Sequence, residues 1–69
     1  MFKYKVKTNM PAISREPKTA YVDLPAGTVV STNQKQTRPL GMIPVISDRR
    51  SYVVLAADLL RKCELIPAI

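Results

Sequence analysis

Histidine is absent from this chain, tryptophan is absent, and cysteine occurs once, at Cys63. Zinc sites draw on Cys and His, so no metal is expected. Without an imidazole, neither a Cys–His nor a Ser–His nucleophile can be assembled. A single thiol rules out an internal disulfide and suits a reducing compartment. The two glycines, Gly27 and Gly41, stand apart, so there is no glycine-rich phosphate loop. Asp23, Asp48 and Asp58 fall beside a turn, in a turn and at a helix start, all ordinary structural roles. No local carboxylate pair is marked for acid–base work. The expectation is a protein without catalytic activity or cofactor.

Long apolar runs are also missing. Nothing approaches the ~18–20 residues that cross a bilayer, and the start, Met1-Phe2-Lys3-Tyr4-Lys5, has no apolar leader region. A cytoplasmic protein with no membrane partner is expected. Its 69 residues, at 7.7 kDa, suit one domain over 1–69. A chain of this mass folds to about 4,300 Å² of surface and buries roughly 60% of what it exposes when extended. A deep substrate cavity is not expected in so small a core.

Charge of one sign is scarce. Eleven Lys and Arg face five Asp and Glu, giving +6, with a pI near 9.9. Residues 1–38 hold seven basic against two acidic side chains, while residues 39–69 hold four against three. A basic half beside a near-neutral half attracts phosphates or acidic partners at long range. It also keeps a small protein soluble.

Phe2, Tyr4 and Val6 alternate with Lys3, Lys5 and Lys7, the period of a half-buried strand. Residues 9–18, with Asn9, Pro11, Ser14 and Pro17, read as a loop with room for a sixth strand. Thr19–Leu24 resumes as a strand. Pro25-Ala26-Gly27-Thr28 follows as a turn, with proline presetting φ at the second position and glycine free to take positive φ. Thr28–Thr32 is expected to pair back as a hairpin. After a loop over 33–41 come strands Met42–Ser47 and Ser51–Ala56, joined by Asp48-Arg49-Arg50. Pro44 cannot donate to a ladder and belongs at an edge or bulge. Ala57–Glu64 reads as a helix capped by Asp58, with Leu59, Cys63 and Ile66 on one docking face. Cys63 then reads as a small buried hydrophobe rather than a reactive thiol, although Arg61 and Lys62 would favour a thiolate.

The expected fold is therefore mainly β. Five short strands form a small barrel or rolled antiparallel sheet, with a short C-terminal helix. Pro25-Ala26-Gly27-Thr28-Val29-Val30, Gly41-Met42-Ile43-Pro44-Val45, Tyr52-Val53-Val54 and Asp58-Leu59-Leu60 with Cys63-Glu64 together resemble small bacterial proteins with an SH3-like β-barrel. The likeness spans about residues 19–66 and implies a fold rather than an activity. Proline-peptide recognition by such folds uses an aromatic groove, usually with tryptophan. This chain offers only Phe2, Tyr4, Tyr21 and Tyr52.

Two surfaces stand out. Strands Met42–Ser47 and Ser51–Ala56 are apolar on both faces, so something must cover the second one. If residues 57–69 do not, then Met42, Ile43, Val45, Val53 and Leu55 mark a protein interface, and a homodimer is its simplest form. The leading expectation is thus a small non-catalytic interaction module acting through its sheet surface. The alternative is sequence-independent nucleic-acid binding. Lys3, Lys5 and Lys7, about 6.5–7 Å apart on one face, would track a phosphate backbone, helped by Lys18, Lys35 and Arg38. Tyr21 would stack on a base. The same lysines would also keep an edge strand from aggregating.

Overall fold

Alternation along each strand, kept in phase from strand to strand, sorts this chain into an inside and an outside. The computed structural model describes residues 1–15, 18–33 and 38–67. The strands are β1 (Phe2–Val6), β2 (Met10–Ser14), β3 (Ala20–Leu24), β4 (Val29–Thr32), β5 (Met42–Ser47) and β6 (Arg50–Leu55). The helix α1 (Ala56–Lys62) and strand β7 (Cys63–Ile66) complete the chain. All strand pairs are antiparallel, in the order β3-β2-β6-β5-β4-β1-β7, and the sheet curls into a half-barrel.

Cross-strand register carries the inner set from one strand to the next. Tyr4 lies opposite Val30 and Leu65, Val6 opposite Cys63, Ile43 opposite Val54, and Met10 opposite Leu24. Val6, Met10, Val30, Val45, Val54 and Leu59 are the largest fully buried side chains. Leu59 reaches this core from α1, a two-turn helix too short to stand alone, which packs against β6, β7 and β1. Thr32 and Ser47 are polar members of the inner set, and Ser47 Oγ donates to the Val29 carbonyl at 2.8 Å. That bond ties β4 to β5 where their ladder has one pair, Ser31 with Ile46. Pro44 pairs with Val53 on β6 and lies outside that β4–β5 pair, so its missing donor is tolerated inside the sheet rather than at an edge.

Mainly β architecture with one short helix is as expected, but the strands number seven rather than five. β2 arises within 9–18, where Met10 and Ala12 turn inward and Pro11 and Ile13 outward. Pro11 hides this alternation from a reading by residue type, yet β2 pairs with β6 only at Ile13 and Ser14. The proline therefore lies beyond that ladder. β7 replaces the last expected helical turn. Pairing of Cys63–Ile66 with β1 satisfies main-chain groups that one more turn would leave to water. Lys7 N donates to Lys62 O at 2.7 Å at the changeover. Cys63 and Leu65 then face inward, and Ile66 lies outside opposite Lys3. Asp58 is not the cap. Leu55 holds that position without a side-chain bond, and Asp58 lies in the first turn, 3.8 Å from Lys62.

Pro25-Ala26-Gly27-Thr28 does turn the chain. Gly27 has φ +96°, and Thr28 N donates to Pro25 O at 3.1 Å, which puts the proline at the first turn position. The strands it joins do not pair with each other: β3 pairs with β2, while β4 pairs with β1 and β5. Gly27 N donates to Val6 O at 2.7 Å, drawing the turn toward β1 instead. The β5–β6 hairpin forms as expected but is tighter, with Asp48 and Arg49 both left-handed at φ 50° and 65°. An open sheet leaves area uncovered. The surface is 5074 Å², about 700 Å² above the value for a compact chain of this mass.

Candidate functional site

The outer face of the half-barrel divides into two chemically different parts. Over β3, β2, β6 and β5 the outward side chains form parallel rows. One runs Tyr21, Ile13, Val53, Pro44. Beside it, Asp23 lies opposite Pro11 on β3 and β2, and Leu55 opposite Met42 on β6 and β5. Tyr21 is 87% exposed, Met42 49%, Leu55 46% and Ile46 45%. Pro11, Ala12, Ile13, Tyr21, Met42, Val53 and Leu55 line a groove of about 270 Å³. Neither α1 nor β7 contributes a residue to its lining: β7 packs on β1 and α1, and α1 packs on β7, β6 and β1 from the core side through Leu59.

The expected interface residues separate under this geometry. Met42, Val53 and Leu55 lie together on the outer face. Val45 is 1% exposed in the core, and Ile43 packs against it, because odd-numbered positions of β5 point inward. Pro11, Ile13 and Ile46 also belong to the face; alternation along β5 already puts Ile46 beside Met42, whereas Pro11 and Ile13 escaped a reading by residue type. For the first two, the alternation of Met10 and Ala12 with Pro11 and Ile13 was the available signal.

A third row borders the groove. Arg15 N meets Ser51 O at 3.5 Å, Ser51 lies opposite Ile46, Ile46 opposite Ser31, and Ser31 opposite Lys3. Arg15, Ser31, Pro44, Ile46 and Ser51 share a second hollow of about 160 Å³. Pro44 lies opposite Val53 of the apolar groove, so the two hollows adjoin. Among the described residues the ion pair is Lys62 with Asp58, and no described carboxylate engages Arg15 or Lys3.

Lys3 and Lys5 project from the outer face of β1, and Lys7 follows, exposed, just beyond it. β1 lies between β4 and β7, so it is not an edge strand. Edge protection therefore does not explain these lysines. Lys5 lies opposite Glu64. Lys18 and Arg38 are exposed in connecting segments, and Lys35 lies outside the described residues. Four strands separate Tyr21 on β3 from β1 in the sheet order, so the lysine row and the ring do not share a strand pair.

Cys63 is buried, and its thiol lies 3.6 Å from the Met10 sulfur. Burial, aided by the Asp58 carboxylate and opposed by Lys7, pushes its pKa up to about 11. Arg61 and Lys62 do not activate it, and a thiol held protonated in a core is inert. Among the described residues no group of His, Cys, Asp or Glu could hold a metal ion, and no helix is long and apolar enough to cross a membrane. No family model, no curated protein and no solved structure matches the chain, so the SH3-like resemblance rests on its short motifs alone.

Proposed function

We propose that this protein is a non-catalytic interaction module that docks another protein on the outer face of β2, β5 and β6. The observation that carries this reading is the exposed apolar groove between Tyr21, Met42 and Leu55. Contiguous apolar surface on a small soluble domain marks a binding face. The rigid ladders beneath hold its side chains in place before a partner arrives, which lowers the ordering cost of association. Anilinonaphthalene sulfonate, an apolar anion, probes the groove directly. The intact chain should enhance its fluorescence, and Met42→Glu with Leu55→Glu should remove that enhancement while far-ultraviolet dichroism stays unchanged. Equal enhancement by chain and variant would sink the reading.

A second reading is supported by the lysines of β1, which fill an interior strand with no edge to protect. In this reading Lys3, Lys5 and Lys7 follow a nucleic-acid backbone without reading sequence. Log K for a short oligonucleotide then falls linearly with log salt, and exchanging the three lysines for Glu abolishes binding. No binding at low salt refutes it.

A further inference from the structure

We infer that the partner presents an acidic amphipathic helix, with its apolar stripe in the groove and a carboxylate over Arg15. This rests on the docking reading above and adds the chemistry of the occupant. A sheet face is ordinarily buried by a helix or a second sheet, and this chain places its own helix elsewhere. Groove and hollow adjoin along one pair, Pro44 with Val53. An apolar seat thus borders a mixed one, in which Arg15 and the hydroxyl residues Ser31 and Ser51 stand among Pro44, Ile46 and Tyr52. Guanidinium and hydroxyl donors together fit a carboxylate.

Spacing agrees with this assignment. Val53 and Ser51 are two residues apart on β6, roughly 6.5–7 Å. Residues four apart on a helix rise about 6 Å and share a face. The partner's signature is therefore an apolar residue with Glu or Asp four positions away. Long-range charge points the same way, since a chain of +6 attracts an acidic partner and repels a copy of itself. The groove is recessed and, Tyr21 apart, lined by aliphatic side chains, Met42 and one proline, Pro11. It suits inserted side chains better than stacked bases or a flat lipid surface.

The test is an NMR titration of the intact chain with two blocked 18-residue peptides. Both carry Leu at i, i+3, i+4 and i+7; one has Glu at the free positions four away, i−4, i−1, i+8 and i+11, and the other has Lys there. The Glu peptide should shift Tyr21, Met42, Val53, Leu55 and Arg15 and bind at least tenfold more tightly than the Lys peptide. Arg15→Glu should erase that preference, and Leu55→Glu should weaken both peptides. Equal binding of both peptides in the groove overturns the acidic partner but leaves the docking reading standing. No shift with either peptide, together with dye binding indifferent to Leu55→Glu, overturns both. Tighter binding at the same residues by phosphatidylserine vesicles, by an oligothymidine or by a second copy of the chain also overturns the inference.

Discussion

Ionising Cys63 should cost this protein stability at alkaline pH, and the size of that loss follows from where the thiol sits. Its pKa rises from 9.0 to about 11 because the side chain is buried beside Met10, with Asp58 adding to the shift. A raised pKa means that the folded state holds the proton more tightly than the unfolded chain does. The contribution is therefore fully present below pH 9 and declines as pH rises from 9 through 11. At pH 10.5 the loss is roughly 2 kcal/mol, approaching 3 kcal/mol above pH 11. Other groups titrate in the same range, so the measurement is a difference. Urea unfolding of the native chain and of Cys63→Val is compared at pH 7.5 and pH 10.5. The native chain should lose about 2 kcal/mol more than the variant between those pH values. Thiol labelling gives an independent check, being slow in buffer and fast in urea. Equal alkaline losses for both proteins, or rapid labelling of the folded chain, would refute the burial argument and reopen Cys63 as a reactive thiol.

Neighbours on β6 should respond in opposite ways: Leu55→Ala, which exchanges one non-capping side chain for another, changes urea stability by within about 0.5 kcal/mol because Leu55 is half exposed on the outer face, whereas Val54→Ala costs about 1–3 kcal/mol from the core. Asp48→Asn with Arg49→Gly should raise the thermal midpoint, since both positions are left-handed and Asn-Gly suits that turn, a gain of up to about 1 kcal/mol. Gly27→Ala should cost about 1–2 kcal/mol by denaturant titration from its positive φ alone, because nothing lies within 4 Å of the added carbon. Leu59→Ala removes the helix anchor and should cost about 3 kcal/mol, read as a lower urea midpoint with an unchanged slope.

Legibility in the sequence followed how locally each feature is decided. The lysine-alternated strand, the β5–β6 hairpin and the mainly β class depend on side-chain period and turn chemistry, which short windows contain. Strand partners do not. The Gly27 turn reads as a hairpin because hairpins are the commonest use of such a turn, yet main-chain bonds from Val6 to Thr28 and from Gly27 to Val6 commit β4 to β1. Cys63–Ile66 continues a helical spacing, and only the presence of β1 beside it makes a strand the better outcome. The candidate site divided on the same principle. Two-sided apolar character in β5 and β6 was visible, but assigning Met42 and Leu55 outward and Val45 inward required the register. Arg15, Ser31 and Ser51 had no local mark because three segments distant in sequence bring them together: the end of β2, β4 and β6.

The outer surface shows a contrast that folding alone does not require. A small half-barrel with a buried inner face is served by a wet outer one, and β1, β4 and β7 supply most of it with Lys3, Lys5, Ser31 and Glu64, beside Val29 and Ile66. On β2, β5 and β6 the matching positions hold Pro11, Ile13, Met42, Pro44, Val53 and Leu55. These residues add little to the core, which lies on the other side of the sheet and is closed there by Met10, Ala12, Val45 and Val54. Their transfer free energy, about 25 cal/mol for each Å² covered, is therefore realised only when something else lies on them. Net positive charge repels other copies and attracts acidic surfaces at long range. In the docking we propose, apolar face and basic border serve different stages of one event: the charge steers the partner, and the groove holds it.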